Sequence, residues 1–254
     1  MRVDAPVQID VLTRLEFLDY FEENYGSGQH VVFLGPTQRG KTTLCHQMLS
    51  RVVSPDRKCH ILAGKPPGRD HVMGEAAKKL NLRLVEEWPP GWSYKDRRTN
   101  GYVVRPHHTL DDLDADSRNI RTHFRSTMMH CYASRKDVIL VCDEAHHIQN
   151  EYKLKAELEA PLMRGAPVCG TWLLIQRGRY MTYLAYDASD WVLVYNDPDR
   201  SNRQRYSEIG GVDPRLVEEI LSGLKTGKGA HGNTISEALC IRRSGPELMI
   251  VGMK

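Results

Sequence analysis

His30-Val31-Val32-Phe33-Leu34-Gly35-Pro36-Thr37-Gln38-Arg39-Gly40-Lys41-Thr42-Thr43 decides how this chain folds. Residues 30–34 are a short apolar run and read as a buried strand. From Lys41 to Val53, Leu44, Met48, Leu49 and Val52 fall on one face of a helix. Between strand and helix, Gly35, Gly40, Lys41 and Thr42 satisfy Gly-x-x-x-x-Gly-Lys-Thr. A triphosphate is densely anionic and needs backbone N–H donors close around it, and glycine lets the chain wrap that tightly. The positive end of the following helix points at the same phosphates. The spacing therefore predicts that Gly35, Pro36, Thr37, Gln38, Arg39, Gly40, Lys41, Thr42 and Thr43 bind ATP. Lys41 reaches the β and γ phosphates in this reading, and the Thr42 hydroxyl ligates Mg2+.

Such a site needs an acidic residue at the end of a second buried strand. Val138-Ile139-Leu140-Val141-Cys142 is a wholly apolar run, and Asp143-Glu144 follows it. A continuous apolar run is the mark of a central parallel strand. Asp143 is expected to hold magnesium through water, and Glu144 to orient and polarise the attacking water. The next strand, Thr171–Ile175, ends in Gln176, a polar side chain beside the acidic pair. It is a candidate sensor of the γ-phosphate.

Further strands are read at 59–64, 82–85 and 191–195, and helices at 11–23, 70–80, 117–133 and from the acidic pair to about Met163. The first of these helices rests on Leu12, Leu15, Leu18 and Phe21 at three-residue steps. Asp213-Pro214 begins a helix with Leu216, Val217, Ile220, Leu221 and Leu224 on its apolar face. Residues 225–232 read as a flexible basic loop, and 238–242 with 247–251 as a closing hairpin. Alternating strands and helices predict an α/β P-loop NTPase of the RecA-like (ASCE) kind. Its central sheet is mainly parallel with helices on both faces. Residues 1–254 read as one such domain: an N-terminal helix in 1–28, an irregular aromatic and basic insert at 86–110, and a C-terminal helix, loop and hairpin in 201–254.

The order of motifs resembles the FtsK/HerA superfamily of DNA-pumping ATPases, which includes chromosome translocases, conjugation ATPases and some viral genome-packaging ATPases. The residues that carry the resemblance are Lys41-Thr42, Asp143-Glu144, Arg164-Gly165 and Gly170–Arg177 with its terminal Gln176-Arg177. It implies that Gln176 acts as sensor and that Arg164 reaches the nucleotide of a neighbouring subunit, with Arg177 and Arg179 as rival fingers. Lys65 loosely matches a lysine after the family's second strand. The resemblance further implies a homo-oligomeric ring that moves or packages double-stranded DNA. The source it suggests is a virus or mobile element, and the recruiting partner a portal or capsid protein. A terminase-type packaging ATPase and a nucleotide-dependent assembly switch are the alternatives. Asp143-Glu144-Ala145-His146 also spells the DEAH-box helicase signature, but those helicases need two RecA-like domains in one chain.

Net charge is +3 on 254 residues, so charge alone does not make this a nucleic-acid-coating polycation. Candidate DNA contacts are Lys95, Arg97 and Arg98 among Trp88, Trp92, Tyr94 and Tyr102; Lys225 and Lys228; and Arg118, Arg121 and Arg125 on one helix face. The pairs His107-His108 and His146-His147 point apart on a regular element and read as structural. Six scattered cysteines without a Cys-x-x-Cys pair fit reduced, buried thiols. No apolar run of spanning length and no signal peptide is read, so the expected location is the cytoplasm, that of the host if the protein is viral.

Overall fold

The strands that carry the glycine loop and the acidic pair, Val31–Leu34 and Val138–Cys142, do not touch; Cys169–Ile175 lies between them and pairs in parallel with both. That arrangement places the loop, Asp143-Glu144 and Gln176 at neighbouring carboxyl ends of one sheet. The computed structural model describes residues 8–65, 71–91, 93, 98–109, 111–164, 168–207, 212–229, 234–245 and 247–253.

In chain order the strands are β1 (Ile9–Leu12), β2 (Val31–Leu34), β3 (Lys58–Leu62), β4 (Arg83–Val85), β5 (Gly101–Val104), β6 (Val138–Cys142), β7 (Cys169–Ile175), β8 (Trp191–Val194), β9 (Thr226–Lys228), β10 (Thr234–Ser236), β11 (Ala238–Arg242) and β12 (Glu247–Val251). The helices are α1 (Arg14–Asn24), α2 (Lys41–Val52), α3 (His71–Lys79), α4 (Leu113–Tyr132), α5 (Ala145–Asn150), α6 (Lys155–Arg164), α7 (Leu184–Asp187), α8 (Arg200–Ser207) and α9 (Pro214–Gly223). Ten strands form one sheet in the order β1-β12-β11-β8-β2-β7-β6-β3-β5-β4, and β9 pairs with β10 apart from it. Within the ten, only β11 runs against its neighbours.

Side chains alternate across the sheet, so each strand feeds two cores. Val31 and Phe33 of β2 face Phe17 and Phe21 of α1 and Leu44 and Met48 of α2. Val32 and Leu34 face the other layer, with Phe124 of α4, Leu158 of α6 and Val217 of α9. All four β2 residues are at 0% exposure, and each such burial contributes about 1.5–3 kcal/mol. Helices on both faces explain why the central strands read as unbroken apolar runs.

Several sequence readings are corrected here. Residues 11–23 are not one helix. Leu12 ends strand β1, and Thr13 starts α1 with a capping box to Glu16. The buried stripe is Phe17, Leu18 and Phe21, while Leu15 is 59% exposed. The segment 86–110 contains β5, a strand one in from the sheet edge. It was hidden by its brevity and by Gly101, whose φ of +134° no other residue adopts easily. A Cβ there would stand 1.8 Å from the Cys59 carbonyl oxygen. Trp88 and Tyr102 are not stacking surfaces for nucleic acid. Both are 8% exposed and pack around His60 with His130. Trp92, Tyr94, Lys95 and Arg97 lie outside the described residues.

The helix after the acidic pair is two helices, α5 and α6, parted where Lys153 takes φ +54°. Part of the supposed basic loop is strand: Thr226–Lys228 pairs antiparallel with Thr234–Ser236, and only 230–233 lie outside the described residues. The C-terminal part also holds α8, which the sequence reading passed over. The closing hairpin β11–β12 and the Asp213 cap with Pro214 are as read. Among the described residues no helix is long and apolar enough to cross a membrane.

Candidate active site

Gly40 makes the loop possible. It holds φ +88° at the N-cap of α2, a left-handed conformation that swings the chain from loop to helix. Thr37, Gln38, Arg39, Gly40, Lys41, Thr42 and Thr43 then line a cleft of about 710 Å³. The volume lies in the range usual for small-molecule sites, about 300–1,000 Å³. The opposite wall is Lys65, Asp143, Glu144 and Gln176, and Thr234 of β10 closes one side. Gly35 and Pro36 contribute differently: their carbonyl oxygens each accept a 2.6 Å hydrogen bond from the Lys41 ammonium.

Lys41 is 7% exposed. Burial pushes its ammonium down to about 8, against the pull of Asp143 and Asp197 in the other direction. A bound triphosphate would favour the charged form strongly. The sign follows. Free protein near pH 8 holds Lys41 about half protonated, and the nucleotide complex holds it fully protonated, so binding takes up protons. We expect an uptake of about half a proton at pH 8, falling toward zero near pH 6.5 where Lys41 is already charged. Calorimetric titration with ATP in two buffers of different ionisation heat measures this, and equal proton uptake at both pH values would refute it.

Glu144 sits at the N-cap of α5 with φ +56° and ψ +50°, uncommon for a residue with a Cβ. Such strain persists where surroundings hold it, and it collects at functional sites. Here the surroundings are specific. Gln176 Nε2 donates to Glu144 Oε1 at 2.5 Å, and Lys65 Nζ lies 3.0 Å from the same oxygen and 3.8 Å from Asp143 Oδ2. Burial pushes the Glu144 carboxyl up, but Lys65, His147 and Gln176 outweigh it and hold it below the ordinary glutamate value. Glu144 is therefore a carboxylate at neutral pH. Asp143 is 9% exposed on the same wall.

Lys41, Thr42, Asp143, Glu144 and Gln176 thus share one cleft. Arg164 does not. It is exposed at the last residue of α6, before β7 begins, and so on the side of the sheet away from the strand ends that carry the cleft. Arg177 lies near the site, close enough to act on His146. Nothing is described of the Arg179 side chain. Of the candidate DNA contacts, Arg125 is engaged with Glu157 at 2.7 Å.

Three residues at or beside the site are not assigned from the sequence. In the sequence Lys65 stands out only through the family resemblance, which gives it no role. Asp197 lies two residues beyond Tyr195, after an apolar strand, the same signal that pointed to Asp143. Thr234 carried no signal at all.

The chemistry available is that of phosphoryl transfer. The donor set suits a triphosphate and a hard divalent cation: backbone amides at a helix start, the Lys41 ammonium, the Thr42 hydroxyl and the Asp143 carboxylate.

Known proteins bear on this geometry. The family model for the AAA domain matches residues 24–164, more than half of the chain. Among solved structures, the DNA-packaging ATPase B204 from Sulfolobus Turreted Icosahedral Virus superposes with a TM-score of 0.56 at 14% identity, covering 89% of this chain and 98% of that one. The genome-packaging NTPase B204 from Sulfolobus turreted icosahedral virus 2, in complex with ATP-gammaS, gives 0.53 at 15% identity over 88% and 96%. Among the curated proteins none matches.

Proposed function

The chain belongs to the AAA domain family and is an ATPase with the fold of FtsK/HerA-type P-loop enzymes, and from that premise we propose that it is a motor that spends ATP to move or package double-stranded DNA. One observation carries the reading: Glu144 is clamped between Lys65 and Gln176 on adjoining strand ends, so the water-activating carboxylate is set by the strand end that feels the γ-phosphate. The likeness of fold to a viral DNA-packaging ATPase supports it.

In this proposal the triphosphate draws Lys41 away from the Gly35 and Pro36 carbonyls. Thr42 and Asp143 would hold Mg2+, which would supply charge neutralisation at the phosphates. Glu144 then orients water and Gln176 contacts the γ-phosphate. Catalysis is positioning and charge stabilisation more than covalent chemistry. Arg164 lies outside its own cleft, and in this reading it completes the site of a neighbouring subunit. A homo-oligomeric ring follows, recruited by a portal or capsid protein if the source is a virus.

Steady-state ATPase rate, with and without duplex DNA and across protein concentration, tests the reading. We expect a rate per subunit that rises with both. A rate indifferent to DNA at every concentration overturns the motor and favours a nucleotide-dependent assembly switch.

The trans arginine has its own test. Arg164→Ala should lower the rate by about three to five orders of magnitude, the usual worth of an arginine finger. Mixed with Lys41→Ala subunits it should regain part of the activity, since intact clefts then meet intact arginines. No recovery at any ratio counts against Arg164.

A further inference from the structure

Several arginines elsewhere in the chain meet carboxylates: Arg51 meets Asp19 and Glu22, Arg57 meets Asp137, and Arg125 meets Glu157. Helix α8 is different. Its eight residues, Arg-Ser-Asn-Arg-Gln-Arg-Tyr-Ser, hold Arg200, Arg203 and Arg205 and no acid. Among the described residues none of the three has an ion pair. Arg203 donates to the carbonyl oxygens of Asp197 at 2.8 Å and Pro198 at 2.9 Å. Arg205 lies over the ring of Tyr183. Arg200 is exposed. Carbonyls and an aromatic face orient the guanidiniums without neutralising them. The helix keeps its positive charge, in a chain whose net charge is only +3.

The helix is also fastened to the ATP site. Asp197, 2% exposed at the end of β8, accepts hydrogen bonds from Asn202 Nδ2 at 3.0 Å and from the Tyr206 hydroxyl at 3.2 Å. The Tyr206 ring lies against Gly178, where an added Cβ would meet it at 2.6 Å. Gly178 is two residues past Gln176. The Asp197 carboxylate also acts on the buried Lys41 ammonium. Two side chains of α8 therefore bear on the segments that follow β8 and β7, and Gln176 of the nucleotide cleft directly follows β7.

We propose that the arginine face of α8 grips the phosphate backbone of the DNA, and that Asp197, Asn202 and Tyr206 tie this grip to the ATP site. The proposal rests on the motor reading above. Polyanion is the occupant the surface fits: Arg200 is exposed, Arg203 and Arg205 are partly buried, none of the three is in an ion pair among the described residues, and guanidiniums offer forked donors that match phosphate oxygens.

The test is the salt dependence of binding to a labelled DNA duplex. Each phosphate contact contributes about 0.9 to the slope of log affinity against log salt. Replacing Arg200, Arg203 and Arg205 together by alanine should make the slope shallower by about 2.7 and abolish the DNA-stimulated part of the ATPase rate. The rate without DNA should stay within about twofold of wild type. The triple lysine variant, with charge retained, should keep the slope. If the triple alanine variant does not fold, Arg200→Ala alone, at an exposed position, should still remove about 0.9. A wild-type slope in the alanine variants overturns the α8 proposal and leaves the motor standing. A lysine variant as weak as the alanine one also overturns it, because the contact would then not depend on charge. Wild-type protein that shows no salt-dependent DNA binding overturns both.

Discussion

Lys41→Ala should hydrolyse no ATP above background and melt at the same temperature with and without the nucleotide. Wild type, at a nucleotide concentration of about 100 times its dissociation constant, should gain about 2.7 kcal/mol. For a chain of this size that is roughly 5–11 °C in melting temperature. The variant should gain none, because the ammonium is the one side-chain cation on the loop wall that is buried where the phosphates sit. Removing it should not unfold the protein. Burial already disfavours its charge, and its partners are the Gly35 and Pro36 carbonyls. Without nucleotide, the apolar and nearly isosteric Lys41→Met should be at least as stable as wild type near neutral pH. Fluorescence-monitored melting across a series of ATP concentrations decides it. A variant with an undiminished ATP shift would refute the assignment of Lys41.

What the sequence exposed and what it hid have physical reasons. Val31–Leu34, Val138–Cys142 and Cys169–Ile175 were legible because strands buried on both faces must be apolar at every position. The residues that end them, Gly35, Asp143 and Gln176, stand out as the first polar or flexible positions after such runs. Periodicity failed where local chemistry overruled it. Leu12 and Leu15 keep three-residue spacing with Phe21, yet the Thr13–Glu16 capping box starts the helix between strand and stripe. Gly101 and the tyrosine and valines after it made a strand too short to show a period. Trp88 and Tyr102 looked like binding surface because aromatic and basic residues alternate in sequence there. The fold sorts them, turning the rings onto His60. Contacts between distant segments, such as Arg39 with Thr226 at 3.0 Å or Tyr206 with Asp197, leave no trace in spacing. Lys65 was in that class too: what marks it is the 3.0 Å approach to Glu144 across two strands.

Glu144→Gln should separate binding from turnover. The amide keeps the shape and can still accept the hydrogen bond from Gln176, so the ATP-dependent rise in melting temperature should survive. Hydrolysis should not, because an amide cannot take the proton of the attacking water. The loss should be about two to four orders of magnitude, the range for a general base. Without nucleotide the variant should be slightly less stable than wild type at neutral pH. In wild type the carboxylate is held below its ordinary value by Lys65, His147 and Gln176 against its burial. A depressed carboxylate stabilises the fold above its unfolded value, and the contribution fades as pH falls through the folded one. The stability gap between wild type and Glu144→Gln should therefore close in acid, which equilibrium unfolding at several pH values would reveal. Normal turnover in the variant would mean that another residue aligns the water, with Asp143 the nearest alternative. Retained binding with lost turnover would set it against Lys41→Ala, where both go together. The two variants would then assign opposite walls of the cleft to different steps, the loop wall to capture and the strand-end wall to hydrolysis.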